Sequence, residues 1–149
     1  MSYETTEVAV AKSQDSIRKL VYAHKGTGLM LISQPPREGF EAMVEIDRAS
    51  YHIRIMATCK NQMRDSRGFT RKASALARAV EQENRRVWRV LYWHLKAMFE
   101  AADSGVIDIR NVVMPYVVLR DGTILADHIV PKMGELMTMD PSRLLGAGS

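Results

Sequence analysis

The fold is decided by residues 71–103, which contain neither proline nor glycine and read RKASALARAVEQENRRVWRVLYWHLKAMFEAAD. Ser104-Gly105 follows and is a natural stop for a helix. The composition favours α-helix, and a helix of this length would extend about 50 Å at 1.5 Å per residue. We therefore predict one long helix, with a possible kink near Glu81–Asn84, against which the rest of the chain packs.

This predicted helix is amphipathic when its residues are placed at 100° intervals. Apolar side chains occupy one half: Leu76, Val80, Val87, Val90, Leu91, Leu95, Met98 and Ala102. Basic side chains occupy a narrow sector on the other half: Arg71, Arg78, Arg85, Arg89 and Lys96. The basic row would be about 37 Å long, enough to follow a phosphate backbone. Trp88 lies at the margin of the apolar half and is a predicted core residue, whereas Trp93 lies near the basic row.

The residues before this helix predict a smaller helix and three strands. Residues 14–25 have helical periodicity, with Ser13 as the N-cap and Gly26 at the end, after a frayed or strand-like lead over residues 1–12. Apolar or alternating runs at 28–33, 40–46 and 51–57 are typical of short strands. Their short connections favour an antiparallel meander, and the polar stretch 59–70 is predicted to be a long loop.

The residues after the long helix predict one more strand and a short helix. Residues 112–119 resemble an edge strand carrying Pro115, and a strand there could pair with a second copy to form a homodimer. Thr123 could cap a helix over 124–130 that Pro131 ends, and residues 132–149 are predicted to be loop and tail. The prediction is one α+β domain over residues 1–149, with an ordered core at 13–131. A small antiparallel sheet, the three-stranded meander plus the later strand, packs against the long helix, with short N- and C-terminal helices.

Composition limits the class of protein. The chain has 149 residues, 46% of them hydrophobic, and a formal net charge of +4. Its single cysteine, Cys59, excludes an internal disulfide and a zinc site built on cysteines. No apolar run approaches the ~20 residues needed to cross a bilayer. The N-terminus shows no secretion signal, so a cytoplasmic location without membrane contact is expected.

The positive charge is concentrated in one segment. Residues 60–89 contain nine Lys or Arg against three Asp or Glu, a net of +6, so the rest of the chain sums to −2. Such asymmetry indicates polyanionic partners, with nucleic acid first, DNA before RNA, an acidic protein surface second and anionic lipid third. The candidate contact residues are Arg71, Lys72, Arg78, Arg85, Arg86, Arg89 and Lys96 on the helix, Lys60, Arg64 and Arg67 in the loop, and Trp93 for stacking on a base.

The leading hypothesis is non-catalytic binding of single-stranded DNA or of a replication or recombination intermediate. Two interpretations without a binding partner remain open: the basic face contacts only solvent, or Trp93 packs against the chain itself. A module that binds or inhibits a host protein through the same face is the second functional class.

Signals for catalysis are weak. Glu41, Glu45 and Asp47 alternate along the second strand, and paired carboxylates can hold Mg²⁺ for phosphodiester cleavage, which leaves a metal-dependent nuclease as a third class. The four histidines lie apart in the sequence without metal-ligand spacing, and His94 falls on the apolar side of the long helix. No cofactor or resident metal is predicted, and a non-enzymatic role is favoured.

Two resemblances to known proteins accompany these patterns. The segment Glu81–Leu91 with its Arg-Arg-Val-Trp-Arg core, the run Pro115–Thr123 with its Asp-Gly turn, and the Leu144-Leu-Gly146 tail together resemble a group of small bacteriophage-encoded proteins of uncharacterised function. That resemblance implies a phage product acting in a bacterial cytoplasm, and it implies no particular activity or site.

The order helix, three strands, helix is similar to that of the double-stranded RNA-binding domain, with Arg71 and Lys72 at the positions of its phosphate-binding basic pair. The chain departs from that pattern in its long loop, its long helix and its additional C-terminal elements. It also lacks a Gly-Pro-x-His sequence between the first two strands.

Overall fold

A computed structural model of the chain describes residues 5–46 and 48–137. The elements in chain order are α1 (Val10–Ala23), β1 (Gly28–Gln34), β2 (Arg37–Ile46), β3 (Ala49–Thr58), α2 (Ala73–Asp103), α3 (Ile109–Val113), α4 (Leu125–Ile129) and α5 (Met133–Leu136). Two short 3₁₀ helices, Met114–Tyr116 and Val130–Lys132, lie between the C-terminal helices. The architecture is α+β, as predicted.

The sheet is an antiparallel meander with strand order β1-β2-β3, which confirms the prediction. Phe40 at its centre lies opposite Leu31 on β1 and Ile55 on β3, and its side chain is fully buried. Strand β2 begins three residues earlier than predicted. Gln34 already pairs with Arg37, so the two prolines between them form the whole turn.

The long helix is confirmed, since α2 runs unbroken from Ala73 to Asp103. Its buried side chains are Glu83, Val87, Trp88, Leu91, Leu95, Met98 and Phe99. They pack over the sheet and against Ile17 and Val21 of α1, forming the core. No residue between positions 73 and 82 is buried, and the predicted core residue Val80 is 44% exposed. The first turns of α2 therefore lie beyond the hydrophobic core.

The start of α1 differs from the sequence-based expectation. The helix begins at Val10 and ends at Ala23, and residues 5–9 form no strand. Ser13 is therefore not the N-cap but an interior residue, fully buried, whose hydroxyl has no hydrogen-bond partner within the described ranges. At the other end, His24 Nε2 lies 2.9 Å from Asp103 Oδ2, so the ends of α1 and α2 are joined.

The strand predicted at residues 112–119 is wrong. This segment contains the end of α3 and a 3₁₀ helix, and only isolated bridges follow it. The amide of Val118 donates to the His52 carbonyl at 2.8 Å, and Val117 bridges to Ile53 of β3. The physical reason is Pro115, which lacks the N–H needed to continue a ladder and sits at the start of the 3₁₀ turn instead.

The proposed dimer edge is therefore absent from this segment. Val113 is 1% exposed and belongs to the core, and the amide of Val118 is already engaged by β3. These residues offer no free strand edge to a second copy.

The C-terminal part is more helical than predicted. The short helix at 124–130 is confirmed as α4 and the 3₁₀ turn after it. Its N-cap is Ile124 rather than Thr123, and the Ile124 amide donates to Asp127 Oδ2 at 3.1 Å. Pro131 lies inside the 3₁₀ turn and does not end the helical region, since α5 follows within the predicted tail. The rest of that tail, residues 138–149, lies outside the described residues. Among the helices that are described, none has an apolar run suited to crossing a bilayer.

Candidate nucleic-acid interface

The basic loop between β3 and α2 folds into a small hairpin. Arg64 and Thr70 form an antiparallel bridge, and the Asp65 amide donates to the Phe69 carbonyl at 2.8 Å. Gly68 turns the chain with a φ of 86°, a conformation that residues with a Cβ rarely adopt. The sequence predicted a loop for this segment. The bridge and the hydrogen bond give that loop the structure of a hairpin.

One carboxylate holds the hairpin tip together. Asp65 Oδ1 accepts the amides of Arg67 at 2.9 Å and Phe69 at 3.0 Å, and its Oδ2 accepts from the Arg67 guanidinium at 3.2 Å. The Phe69 amide, followed by the Arg67 groups, holds the pKa of Asp65 below its usual value. The Asp65 carboxylate is thus hydrogen-bonded to groups within the hairpin itself.

Arg71 ties the hairpin to the start of α2. Its Nη1 donates to the Gln62 carbonyl at 2.8 Å, the Gln62 side-chain oxygen at 3.0 Å and the Arg64 carbonyl at 3.2 Å. Its own amide donates to the Met63 carbonyl at 2.9 Å. The expectation that Arg71 points freely into solvent is therefore wrong, because part of its guanidinium orders the loop.

The hairpin presents an aromatic ring that the sequence patterns did not reveal. Phe69 is 65% exposed, and the Arg67 guanidinium lies 5.4 Å from the centre of its ring. Met63 at the base of the hairpin is 57% exposed. A ring this exposed on an ordered turn is unusual, because apolar side chains of this size normally bury their surface. The signal in the sequence was a single phenylalanine inside a polar, basic loop.

The hairpin and α2 enclose a basic pocket of about 600 Å³. We call it the basic pocket, and its lining residues are Lys60, Gln62, Arg64, Asp65, Ser66, Arg71, Ala79, Gln82, Glu83 and Arg86. Four of the predicted contact residues, Lys60, Arg64, Arg71 and Arg86, therefore come together here. The pocket forms where α2 extends beyond the core, because the loop folds back over the exposed first turns of the helix.

Glu83 is the second residue that the sequence patterns did not reveal. It is 6% exposed, and its Oε2 accepts the Lys60 amide at 2.6 Å while its Oε1 accepts from Arg86 Nε at 2.5 Å. Burial acts to raise the pKa of Glu83, but the bonds from Arg86 and Lys60 outweigh it, and the pKa lies below its usual value. Glu83 thus anchors the start of the loop to α2.

The basic row along α2 is not a line of unpaired cations. Arg85 Nη2 lies 2.5 Å from Glu81 Oε1, and Lys96 Nζ lies 3.9 Å from Glu100 Oε1. The guanidinium of Arg89 lies 4.7 Å from the ring centre of Tyr92. The expectation of a solvent-facing row is wrong for these residues, because each has a partner one turn away on the same helix.

Trp93 is not an exposed stacking platform. It is partly buried, and its indole nitrogen is enclosed without a hydrogen-bond partner in the described part of the chain. Lys96 Nζ lies 4.7 Å from the centre of its ring, and Tyr92 contacts it edge-on at 5.3 Å. The alternative that Trp93 packs against its own chain agrees with this geometry. Trp88 is 1% exposed, as predicted for a core residue.

Five of the predicted cations remain exposed, on the loop or on the first two turns of α2: Lys60, Arg64, Arg67, Lys72 and Arg78. Lys72 directly precedes α2, and Arg78 lies on its second turn. Lys96 is about 27 Å further along the helix axis than Arg78, at 1.5 Å per residue. The structure therefore divides the predicted contact residues into a cluster around the hairpin and a separate, internally paired group along α2.

The nuclease hypothesis relies on Glu41, Glu45 and Asp47. Glu41 lies on the outer face of the sheet, where its carboxylate accepts from His52 Nε2 at 2.8 Å and Arg54 Nε at 2.6 Å. Glu45 is exposed, and Asp47 lies outside the described residues. Within the residues that are described, no three His, Cys, Asp or Glu side chains are placed to hold a metal ion. The carboxylate of Glu41 is therefore occupied by its contacts with His52 and Arg54 on the neighbouring strand β3.

Two further titratable residues, His94 and Cys59, both lie in environments set by neighbouring side chains of the protein. His94 is exposed rather than buried in the core, and its Nε2 lies 2.8 Å from the Tyr116 hydroxyl. The Tyr116 ring covers part of the imidazole, and this partial burial lowers the pKa of His94. The pKa of Cys59 is raised by burial and by the charges of Glu38 and Glu83, which disfavours the reactive thiolate.

Comparison of the chain with family models, with curated proteins and with solved structures finds no match.

Proposed function

We propose that this protein binds single-stranded nucleic acid through the hairpin of residues 64–70. The observation that carries the proposal is the exposed Phe69 ring on an ordered turn, with the Arg67 guanidinium over it. An unpaired base can stack on such a ring whatever its sequence, with a contribution of about 1–3 kcal/mol. A base inside a duplex presents no free face, so the ring favours single strands.

The exposed cations around the hairpin supply the phosphate contacts. Lys60, Arg64, Arg67, Lys72 and Arg78 surround the hairpin and the start of α2. Each phosphate they neutralise releases counterions, which strengthens binding at low salt. The biological setting we propose is DNA metabolism of a bacteriophage in a bacterial cytoplasm, with DNA preferred over RNA.

The stacking contact is tested with Phe69→Ala. Fluorescence polarisation with a labelled oligothymidylate should show binding weakened by about tenfold, since one stacked base is lost. Tyr22→Ala is the matched control, because Tyr22 is 54% exposed on α1, a different element. Equal affinity of wild type and Phe69→Ala for the oligonucleotide would remove the stacking role.

The phosphate contacts are tested by the salt dependence of binding. Lys72→Ala with Arg78→Ala should flatten the slope of log affinity against log salt by up to about 1.4, at 0.7 per phosphate contact on a single strand. Arg85→Ala with Arg89→Ala is the control pair, and a smaller change is expected because both side chains are engaged within α2. A larger change in the control pair would place the interface along the helix instead.

A protein-binding role is the second candidate. The C-terminal helical segment exposes apolar side chains at Ile129, Val130, Met133, Leu136 and Met137, with exposures between 41% and 68%. Exposed apolar groups at this spacing are typical of a contact surface for another protein. An acidic host protein could engage this segment together with the basic cluster. Retention of such a protein without retention of oligonucleotides would favour this candidate.

A further inference from the structure

We infer that the basic pocket binds a phosphomonoester, namely the terminal phosphate of the strand that the hairpin contacts. The inference rests on the proposed function, in which the hairpin contacts a base within the strand. It assigns a second site, the basic pocket, to the phosphate at the end of that strand. The pocket's volume of about 600 Å³ is within the range of small-molecule sites in proteins.

The charge balance of the pocket favours a dianion. Its two carboxylates are already compensated: Asp65 is paired with Arg67, and Glu83 is paired with Arg86. The other three cationic lining residues, Lys60, Arg64 and Arg71, have no carboxylate within 4.0 Å in the described part of the chain. A terminal phosphate carries a charge of about −1.5 to −2 at pH 7, whereas an internal phosphodiester carries about −1. The lining residues comprise four cations and two carboxylates, and the resulting net charge of +2 suits the terminal group better.

Two of the donors, Arg71 and Arg64, are held by hydrogen bonds to the loop before any ligand arrives. Arg71 uses Nη1 for its three bonds to the loop, and within the described residues its Nε and Nη2 have no acceptor. Arg64 is likewise fixed by the bond from its Nη1 to the Gly68 carbonyl at 3.0 Å. Side chains ordered by the protein lose little further freedom on binding, which favours affinity.

The pocket adjoins the hairpin that carries the exposed Phe69 ring. Ala79 and Gln82 of α2 line one side of the pocket, the loop lines the other, and the site is open to solvent. Arg64 lines the pocket and bridges to Thr70, the neighbour of Phe69, so a strand that ends in the pocket passes close to the exposed ring.

The test compares oligothymidylates that differ only at one end. Fluorescence polarisation with 5′-phosphate, 3′-phosphate and unphosphorylated strands should show one phosphorylated end binding about tenfold more tightly, the value of about one charge-assisted hydrogen bond. Equal binding of all three strands would overturn the inference and leave the proposed function in place. Failure of all three to bind would refute the proposed function. In that case, binding of adenosine monophosphate to the wild-type chain decides whether the pocket recognises a phosphomonoester.

A filled-pocket variant locates the site. Ala79→Phe places a ring in the basic pocket without removing any charge, so the preference for the phosphorylated end should disappear. Ala77→Phe is the control, since Ala77 is exposed on the same helix and does not line the pocket. Circular dichroism confirms that both variants fold, and Arg64→Gln gives a second test by removing one of the three cations. A preference that survives both Ala79→Phe and Arg64→Gln would place the recognition elsewhere and overturn the inference.

Discussion

Ser13→Ala should stabilise the protein. The Ser13 hydroxyl is fully buried inside α1 and has no hydrogen-bond partner in the residues that the structure describes. A buried hydroxyl without a partner costs about 1–3 kcal/mol, and alanine exceeds serine in helix propensity by roughly 0.5 kcal/mol. Loss of the packing contacts of one oxygen offsets part of this gain. We expect the free energy of unfolding to rise by about 1–2 kcal/mol and the melting temperature by roughly 3–6 °C.

Urea denaturation followed by circular dichroism measures this difference. Ser16→Ala is the matched control, because the exposed Ser16 hydroxyl donates to the Lys12 carbonyl at 2.9 Å, and its loss should change stability by less than about 0.5 kcal/mol. If Ser13 were the N-cap, as the sequence suggested, Ser13→Ala would instead cost about 1 kcal/mol. A destabilised Ser13→Ala variant would therefore refute both the helix start at Val10 and the reasoning about the unpaired hydroxyl.

Three further outcomes are expected. Leu95→Ala should cost about 2–5 kcal/mol in urea denaturation because Leu95 is fully buried between the helix and the sheet, and a cost below about 1 kcal/mol would contradict that packing. Glu41→Gln should cost about 2 kcal/mol at neutral pH through weakened bonds to His52 and Arg54. Burial acts to raise the pKa of Glu41, but those bonds outweigh it and the pKa is lowered in the fold. Wild type should therefore lose more stability than Glu41→Gln between pH 6 and pH 3, and parallel curves would count against the ion pairs. Partial burial lowers the folded pKa of His94 below its ordinary value, so the neutral imidazole favours folding. The stability of the wild type should therefore fall as the pH drops through the ordinary pKa of histidine. In thermal melts from pH 8 to pH 5, His94→Gln should lose less stability than the wild type.

Part of the fold could be predicted because the signals are local. The absence of proline and glycine from residues 71–103 predicted α2 to within two residues at its start. The run at 51–57 was predicted to be a strand, and its alternating apolar residues include Ile53 and Ile55, which β3 buries. Helix and strand periodicities are properties of neighbouring residues, and they survive in the fold wherever one face of the element is buried.

The errors occurred where distant residues compete with a local signal. Ser13 has the chemistry of an N-cap, but its side chain is enclosed in the core, and the helix begins one turn earlier. The apolar run at 112–119 has strand composition, but Pro115 and the buried Val113 fold it into helical turns against α2 and β3. In both cases tertiary packing outweighs propensity, since propensity differences are a fraction of the burial free energy.

The sequence by itself determined that positive charge is concentrated between Lys60 and Arg89, because charge density is a sum over residues. Only the tertiary structure decided which of those cations are available to a partner. Arg85 and Arg86 are paired with carboxylates within α2, Arg67 is paired with Asp65, and Arg71 orders the loop, while Lys72 and Arg78 are exposed at the start of α2. The physical reason is that hydrogen bonding and exposure depend on side-chain positions in three dimensions.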